Sequence, residues 1–179
     1  MYYIMFNDKQ KALKAVTFNG HNLRFCSNFL KNDKDVVLAA VKQNGYAISW
    51  IYQKGIIPSE AVLFAAVNEY GEALEKIPEK CRTKELCLAA VRQYGEALRY
   101  VPLELRTEEL CFEAVKQYGV AVDYVPTEFR SKEMYLAAVK QDGSALKSVP
   151  EKFYSDELLL AAVKNWGYAI SYIPRSLLS

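Results

Sequence analysis

Histidine is almost missing from this chain: His21 is the only one in 179 residues. No Asp, Cys or Ser stands in a recognisable triad spacing with it, so it reads as a surface residue and not as an acid–base centre. Cysteine is sparse as well. Cys26, Cys81, Cys87 and Cys111 are widely spaced, without the close pairs that zinc requires. They suit a reducing compartment better than a disulfide framework, which places the expected location in the cytoplasm. Charge of one sign is lacking: 23 Lys and Arg face 21 Asp and Glu, a formal net charge of +2. A polyanion-coating basic protein and a disordered acidic tail are both excluded. Apolar runs of about 18 residues, the minimum for a spanning helix, are absent. The segment Met1–Phe6 also lacks the basic start of a secretory signal, so a soluble chain without membrane contact is expected.

What the chain does have is repetition. Leu88–Gly95, Phe112–Gly119, Leu136–Gly143 and Leu160–Gly167 are near copies of one another, with glycines 24 residues apart. The same octet ends at Gly71 one step earlier, at Gly45 after a 26-residue step, and in a worn form at Gly20 after 25 more. That makes seven units, at about 8–32, 33–58, 59–82, 83–106, 107–130, 131–154 and 155–179, in one domain spanning 1–179. Repetition at this length means a stack in which each unit buries its apolar face against its neighbours.

Each unit's local chemistry specifies helix. Twelve residues before the glycine stands Asp8, Asp33, Ser59, Thr83, Thr107, Ser131 or Ser155, all able to accept from the free amides that open a helix. Asp35, Glu85, Glu109, Glu133 and Glu157 add negative charge to the first turn, where the helix dipole favours it. The repeating glycine fits a left-handed residue closing the helix. A shorter apolar pattern follows, for example Ala97, Leu98 and Val101, ended by Pro78, Pro102, Pro126, Pro150 or Pro174, where the ring denies the helix an amide. Three residues on, Cys81, Leu105, Phe129, Phe153 or Leu177 is placed to tuck the connection onto the core. A leucine-rich repeat has a similar period, but Ser/Thr caps and Ala-Val cores contradict its strand. The predicted fold is all-α, a solenoid of about seven short helix–turn–helix repeats.

The pattern Leu-x-Ala-Val-(Lys/Arg)-Gln-x-Gly-x-Ala-Leu, carried by Leu88–Leu98 and Leu136–Leu146, resembles an uncharacterised family of short tandem helical repeats. That family is a domain of unknown function found in bacteria, protists and large viruses. The resemblance covers about six units and implies a helical-repeat fold, with no activity or site residues attached. The first unit departs most, with Lys14 and Asn22 in place of alanines, which suggests an end cap.

Without a catalytic constellation the expected role is that of a non-enzymatic scaffold for protein–protein interaction, with no metal or cofactor. Cys87 and Cys111 occupy the repeat position of Leu63 and Leu159, so their thiols are expected to be packed, and a bridge between them is disfavoured. A solenoid aligns equivalent positions into stripes. The candidate recognition face carries the short helices, with Trp50, Tyr100, Tyr124 and Tyr172 as aromatic anchors and Arg99 and Asp123 setting electrostatic specificity. A second aromatic stripe, Tyr70, Tyr94, Tyr118 and Trp166, immediately precedes the glycines. The alternative is single-stranded nucleic-acid binding by a ladder of Lys42, Arg92, Lys116, Lys140 and Lys164 beside those rings. The last unit keeps Leu158, Leu159 and Trp166, so its outer side is expected to expose apolar surface and invite end-to-end self-association.

Overall fold

A computed structural model describes residues 5–52 and 56–177. The described residues are all-α, and their β-type pairing is limited to an isolated bridge between Phe6 and Cys26. The chain forms two compact units, Met1–Gln93 and Tyr94–Ser179.

The first unit holds α1 (Lys9–Phe18), α2 (Lys34–Gln43), the single turn α3 (Ser49–Tyr52), α4 (Glu60–Glu69) and α5 (Lys84–Gln93). The second holds α6 (Glu108–Gln117), α7 (Lys132–Gln141) and α8 (Asp156–Asn165). Apart from α3 each is ten residues long, just under three turns. The predicted caps account for where they begin. Asp8, Asp33, Thr83, Thr107, Ser131 and Ser155 all accept backbone N–H groups of the first turn, whereas Ser59 makes no such bond. Within the first unit α1 packs on α2, α2 on α4 and α4 on α5; within the second α6 packs on α7 and α7 on α8. This is the nearest-neighbour stacking of a helical-repeat solenoid. Helices α2, α4, α5, α6 and α7 each bury a double stripe, for example Leu110, Cys111, Ala114 and Val115 in α6, whereas α1 and α8 bury one.

In the second half of the repeat one expectation is made more specific and another is corrected. The short helix is 3₁₀, as in Gly95–Tyr100, Gly119–Tyr124 and Gly143–Ser148. Its buried residues three apart, such as Leu98 and Val101, eclipse one another on a three-residue turn and so share one face. The glycine, moreover, forms no left-handed cap. It opens the 3₁₀ helix, and none of Gly20, Gly45, Gly95, Gly119, Gly143 and Gly167 has a positive φ. The residue before it ends the long helix in extended backbone, with φ of −143° at Tyr118 and Asp142.

Glycine is required there by close approach. A Cβ on Gly119 would lie under 3.0 Å from the Ala138 carbonyl oxygen of the next repeat, and one on Gly143 equally close to that of Ala162. The freed polar groups are met by the next repeat as well. The Gly119 N–H donates to Gln141 Oε1 at 2.6 Å, while Gln141 Nε2 donates to the Gln117 carbonyl at 2.8 Å. Asn165 does the same for Gly143 and Gln141, and Gln93 for Gly71 and Glu69. One side-chain amide thus satisfies the end of one helix and the start of the following turn.

Candidate functional site

In the second unit the short 3₁₀ helices expose the fourth residue after the glycine and keep the fifth half-buried or exposed, and these build an aromatic–cationic surface. The Arg99 guanidinium lies 5.2 Å from the Tyr100 ring centroid and 5.7 Å from that of Tyr124, one repeat on. Glu96 sits beside it, accepting from Arg99 Nη1 at 3.2 Å and from the Tyr94 hydroxyl at 2.6 Å. Tyr94 and Tyr118 pack with their centroids 6.3 Å apart. Burial first, and then the charge of Glu96, pushes the Tyr118 hydroxyl above its usual value. The group combines half-buried rings with an exposed guanidinium.

A second cluster follows the same plan. Lys147 Nζ stands 5.2 Å from the Tyr172 centroid and 5.6 Å from that of Trp166, and the two rings stack at 6.0 Å. Tyr168 closes on both, at 5.2 Å from Trp166 and 6.3 Å from Tyr172. The two aromatic stripes that look separate along the chain therefore converge, because Trp166 precedes its glycine and Tyr172 follows it by five residues.

Other predicted anchors are placed differently. Asp123 is exposed on the 3₁₀ helix that carries Tyr124, and its backbone carbonyl accepts from Arg130 Nη2 at 3.0 Å. In the first unit Trp50 is half-buried, and its indole Nε1 is enclosed without a hydrogen-bond partner among the described residues. That unit carries a related pair instead: Tyr46 packs on Tyr70 at 5.9 Å and donates its hydroxyl to Glu72.

The basic ladder is exposed at Lys42, Arg92, Lys116, Lys140 and Lys164. Two of its members contact side chains of the long helices. Lys116 covers the Phe112 ring at 4.7 Å and Lys140 pairs with Glu157 at 3.1 Å. Arg99 and Lys147 stand over the rings of the aromatic clusters. His21 is exposed, with the Asn44 amide 3.3 Å from Nε2. Cys87 and Cys111 are free, fully buried thiols pushed by burial to about 11. Among the described residues no group of three or more His, Cys, Asp and Glu is arranged to hold a metal ion, and no helix is long and apolar enough to cross a membrane.

One positioning device is not anticipated by the reading of stripes. Arg106 folds back under its own 3₁₀ helix, with Nε on the Val101 carbonyl at 2.9 Å, Nη2 on that of Arg99 at 3.3 Å and Nη1 on that of Tyr124 at 2.6 Å. It ties the backbone of Arg99 to the backbone of Tyr124. Arg130 and Arg82 repeat the first two bonds, and Lys31 donates to the Arg24 carbonyl. All four stand eleven residues after a glycine, so the signal is visible in the sequence as a second basic series.

Fold and surface together define a tandem helical-repeat protein whose exposed chemistry is aromatic and cationic. The chain belongs to the family described as Domain of unknown function (DUF4116), whose model matches residues 8–54, 61–106, 107–154 and 131–178. Each match covers two of the glycine-marked repeats. No curated protein and no solved structure matches the chain.

Proposed function

We propose that this protein is a non-catalytic scaffold of the cytoplasm that binds a protein partner across the face of its short 3₁₀ helices in the second unit. The observation that carries the reading is Arg99 held against Tyr100 and Tyr124, with Arg106 joining the two backbones beneath. Tyrosine and arginine dominate the energetics of protein interfaces, because both offer large contact area together with a polar end. Here their geometry is preorganised, which lowers the ordering cost of binding. Free cysteines, three of them buried, fit a reducing compartment.

The test compares the wild-type chain with Tyr100→Ala/Tyr124→Ala, each shown to be folded by circular dichroism. Both are used for affinity capture from native extract at low and high salt, followed by titration of the recovered partner. A protein held at high salt by wild type and bound about 30-fold or more weaker by the variant supports the reading. Equal affinity for both chains overturns it. Nucleic acid recovered equally by both chains at low salt also overturns it. In that case the log–log salt slope, about −0.7 per phosphate neutralised, points to the ladder of Lys42, Arg92, Lys116, Lys140 and Lys164.

A further inference from the structure

Between its first and last residues α4 carries no charge: Ala61–Val67 is an unbroken apolar run, followed by Asn68. Every other ten-residue helix has at least two charged side chains in that interval. The inward stripe of α4, Val62, Leu63, Ala66 and Val67, is buried, with α2 packed on one side and α5 on the other. The rest of the run faces outward, Phe64 and Ala65 half-buried, Ala61 and Asn68 exposed. A helix that is apolar around its circumference calls for cover on every side. Because a repeat already lies on each flank of α4, this face is not an end of the stack, and repeats added at either end leave it bare.

The flanking helices frame this face with charge. In α2 the half-buried Leu38 and Ala39 continue the apolar floor between exposed Asp35 and Lys42. In α5 Leu88 and Ala89 do so between exposed Glu85 and Arg92. An acidic rim thus runs along the helix starts and a basic rim along the helix ends. Seven positions separate the rims in each helix, about 10.5 Å at the rise of an α-helix, which matches the diameter of about 10–12 Å of a helix with its side chains. Asp35 pairs with Lys9 at 2.6 Å, but both side chains are solvent-exposed, and such a pair yields readily to a partner's cation. The corresponding face of the second unit is charged and partly covered by its own side chains. There Glu113 replaces the alanine, Lys116 Nζ lies 4.7 Å from the Phe112 centroid, and Lys140 reaches Glu157 at 3.1 Å.

We infer that the outer face of α2, α4 and α5 docks an amphipathic α-helix of a protein partner, laid across the three helices with its apolar stripe on Phe64 and with flanks of opposite charge. Basic residues on one flank meet Asp35 and Glu85, and acidic residues on the other meet Lys42 and Arg92. An extended strand gains nothing here, because strand addition needs a sheet edge and these helices bond their own backbone. A polyanion is disfavoured by the acidic rim. The face shares no residue with the Arg99–Tyr124 surface and is a site additional to it.

The probe is a dye-labelled peptide of about 21 residues, about 31 Å long as a helix, which spans three axes set about 8–10 Å apart. Leucine fills the first and fourth positions of each heptad, lysine lines one flank and glutamate the other. Followed by fluorescence anisotropy against the full chain, it is expected to bind saturably, and about tenfold or more tighter than matched peptides with lysine, or glutamate, on both flanks. Ala65→Glu/Asn68→Lys gives α4 the charges that α6 carries at Glu113 and Lys116. That chain and Phe64→Ala, each shown to be folded by circular dichroism, are expected to bind about tenfold or more weaker. Three results overturn the inference: no saturable binding, a uniformly charged peptide binding as tightly as the split-charge one, or affinity unchanged in folded Ala65→Glu/Asn68→Lys. Self-association of wild type in sedimentation velocity that Phe64→Ala abolishes also overturns it, since a second copy is then the occupant.

Discussion

Cys87 and Cys111 show at the scale of single residues how a repeat position dictates chemistry. They sit where other repeats carry Leu63, Tyr135 or Leu159, and burial, outweighing the nearby Arg82 and Arg106, pushes both thiols up to about 11. An unfolded thiol titrates near 8.5. Below that value both states are protonated and the thiols contribute no pH dependence; above it the unfolded chain binds fewer protons, so stability falls as pH rises from about 8.5 toward 11. Denaturant titrations of wild type and Cys87→Ala/Cys111→Ala are expected to differ in slope over that window, the variant being flatter. Equal slopes would show that the buried thiols do not contribute. Trp50 marks the limit of reading at this scale: its residue type suggests an anchor, but its indole nitrogen is enclosed, which only the surrounding chain determines.

Between elements, the seam is the unit of stability. A left-handed cap and a close approach both call for glycine, yet they predict different mutants. If the glycine served its own helix, alanine would cost the same in every repeat. Because the obstacle is the next repeat's carbonyl, Gly143→Ala is expected to destabilise the protein by about 1–3 kcal/mol through overpacking. Gly167→Ala has open space around it and a backbone that alanine accepts, so it is expected to be neutral or stabilising by up to about 1 kcal/mol. Urea denaturation of the two variants separates the explanations, and equal losses would refute the seam. The long helices were legible because Asp, Ser or Thr caps, acidic first turns and paired alanines act within one segment. The 3₁₀ form of the short helix was not, since the glycines that follow the extended Tyr118 and Asp142 are held by the next repeat, Gly119 N–H donating to Gln141 and Gly143 N–H to Asn165.

For the molecule as a whole, nearest-neighbour stacking makes repeats exchangeable parts. Removing residues 107–130, one full repeat of the second unit, joins Arg106 to Ser131 in the register that Arg130 has now. The shortened chain is expected to keep helical circular dichroism per residue and to unfold at a lower denaturant midpoint; loss of helical structure would show that stability is not built seam by seam. The sequence by itself determined the period, the helical class, the caps, the proline stops and the residues of the core, all of which depend on side chains close together along the chain. The tertiary structure alone decided why glycine recurs, which cation meets which ring and how Arg106 ties Arg99 to Tyr124. Those outcomes depend on atoms roughly one repeat length away in sequence, brought to within hydrogen-bonding or van der Waals distance only when one repeat lies against the next.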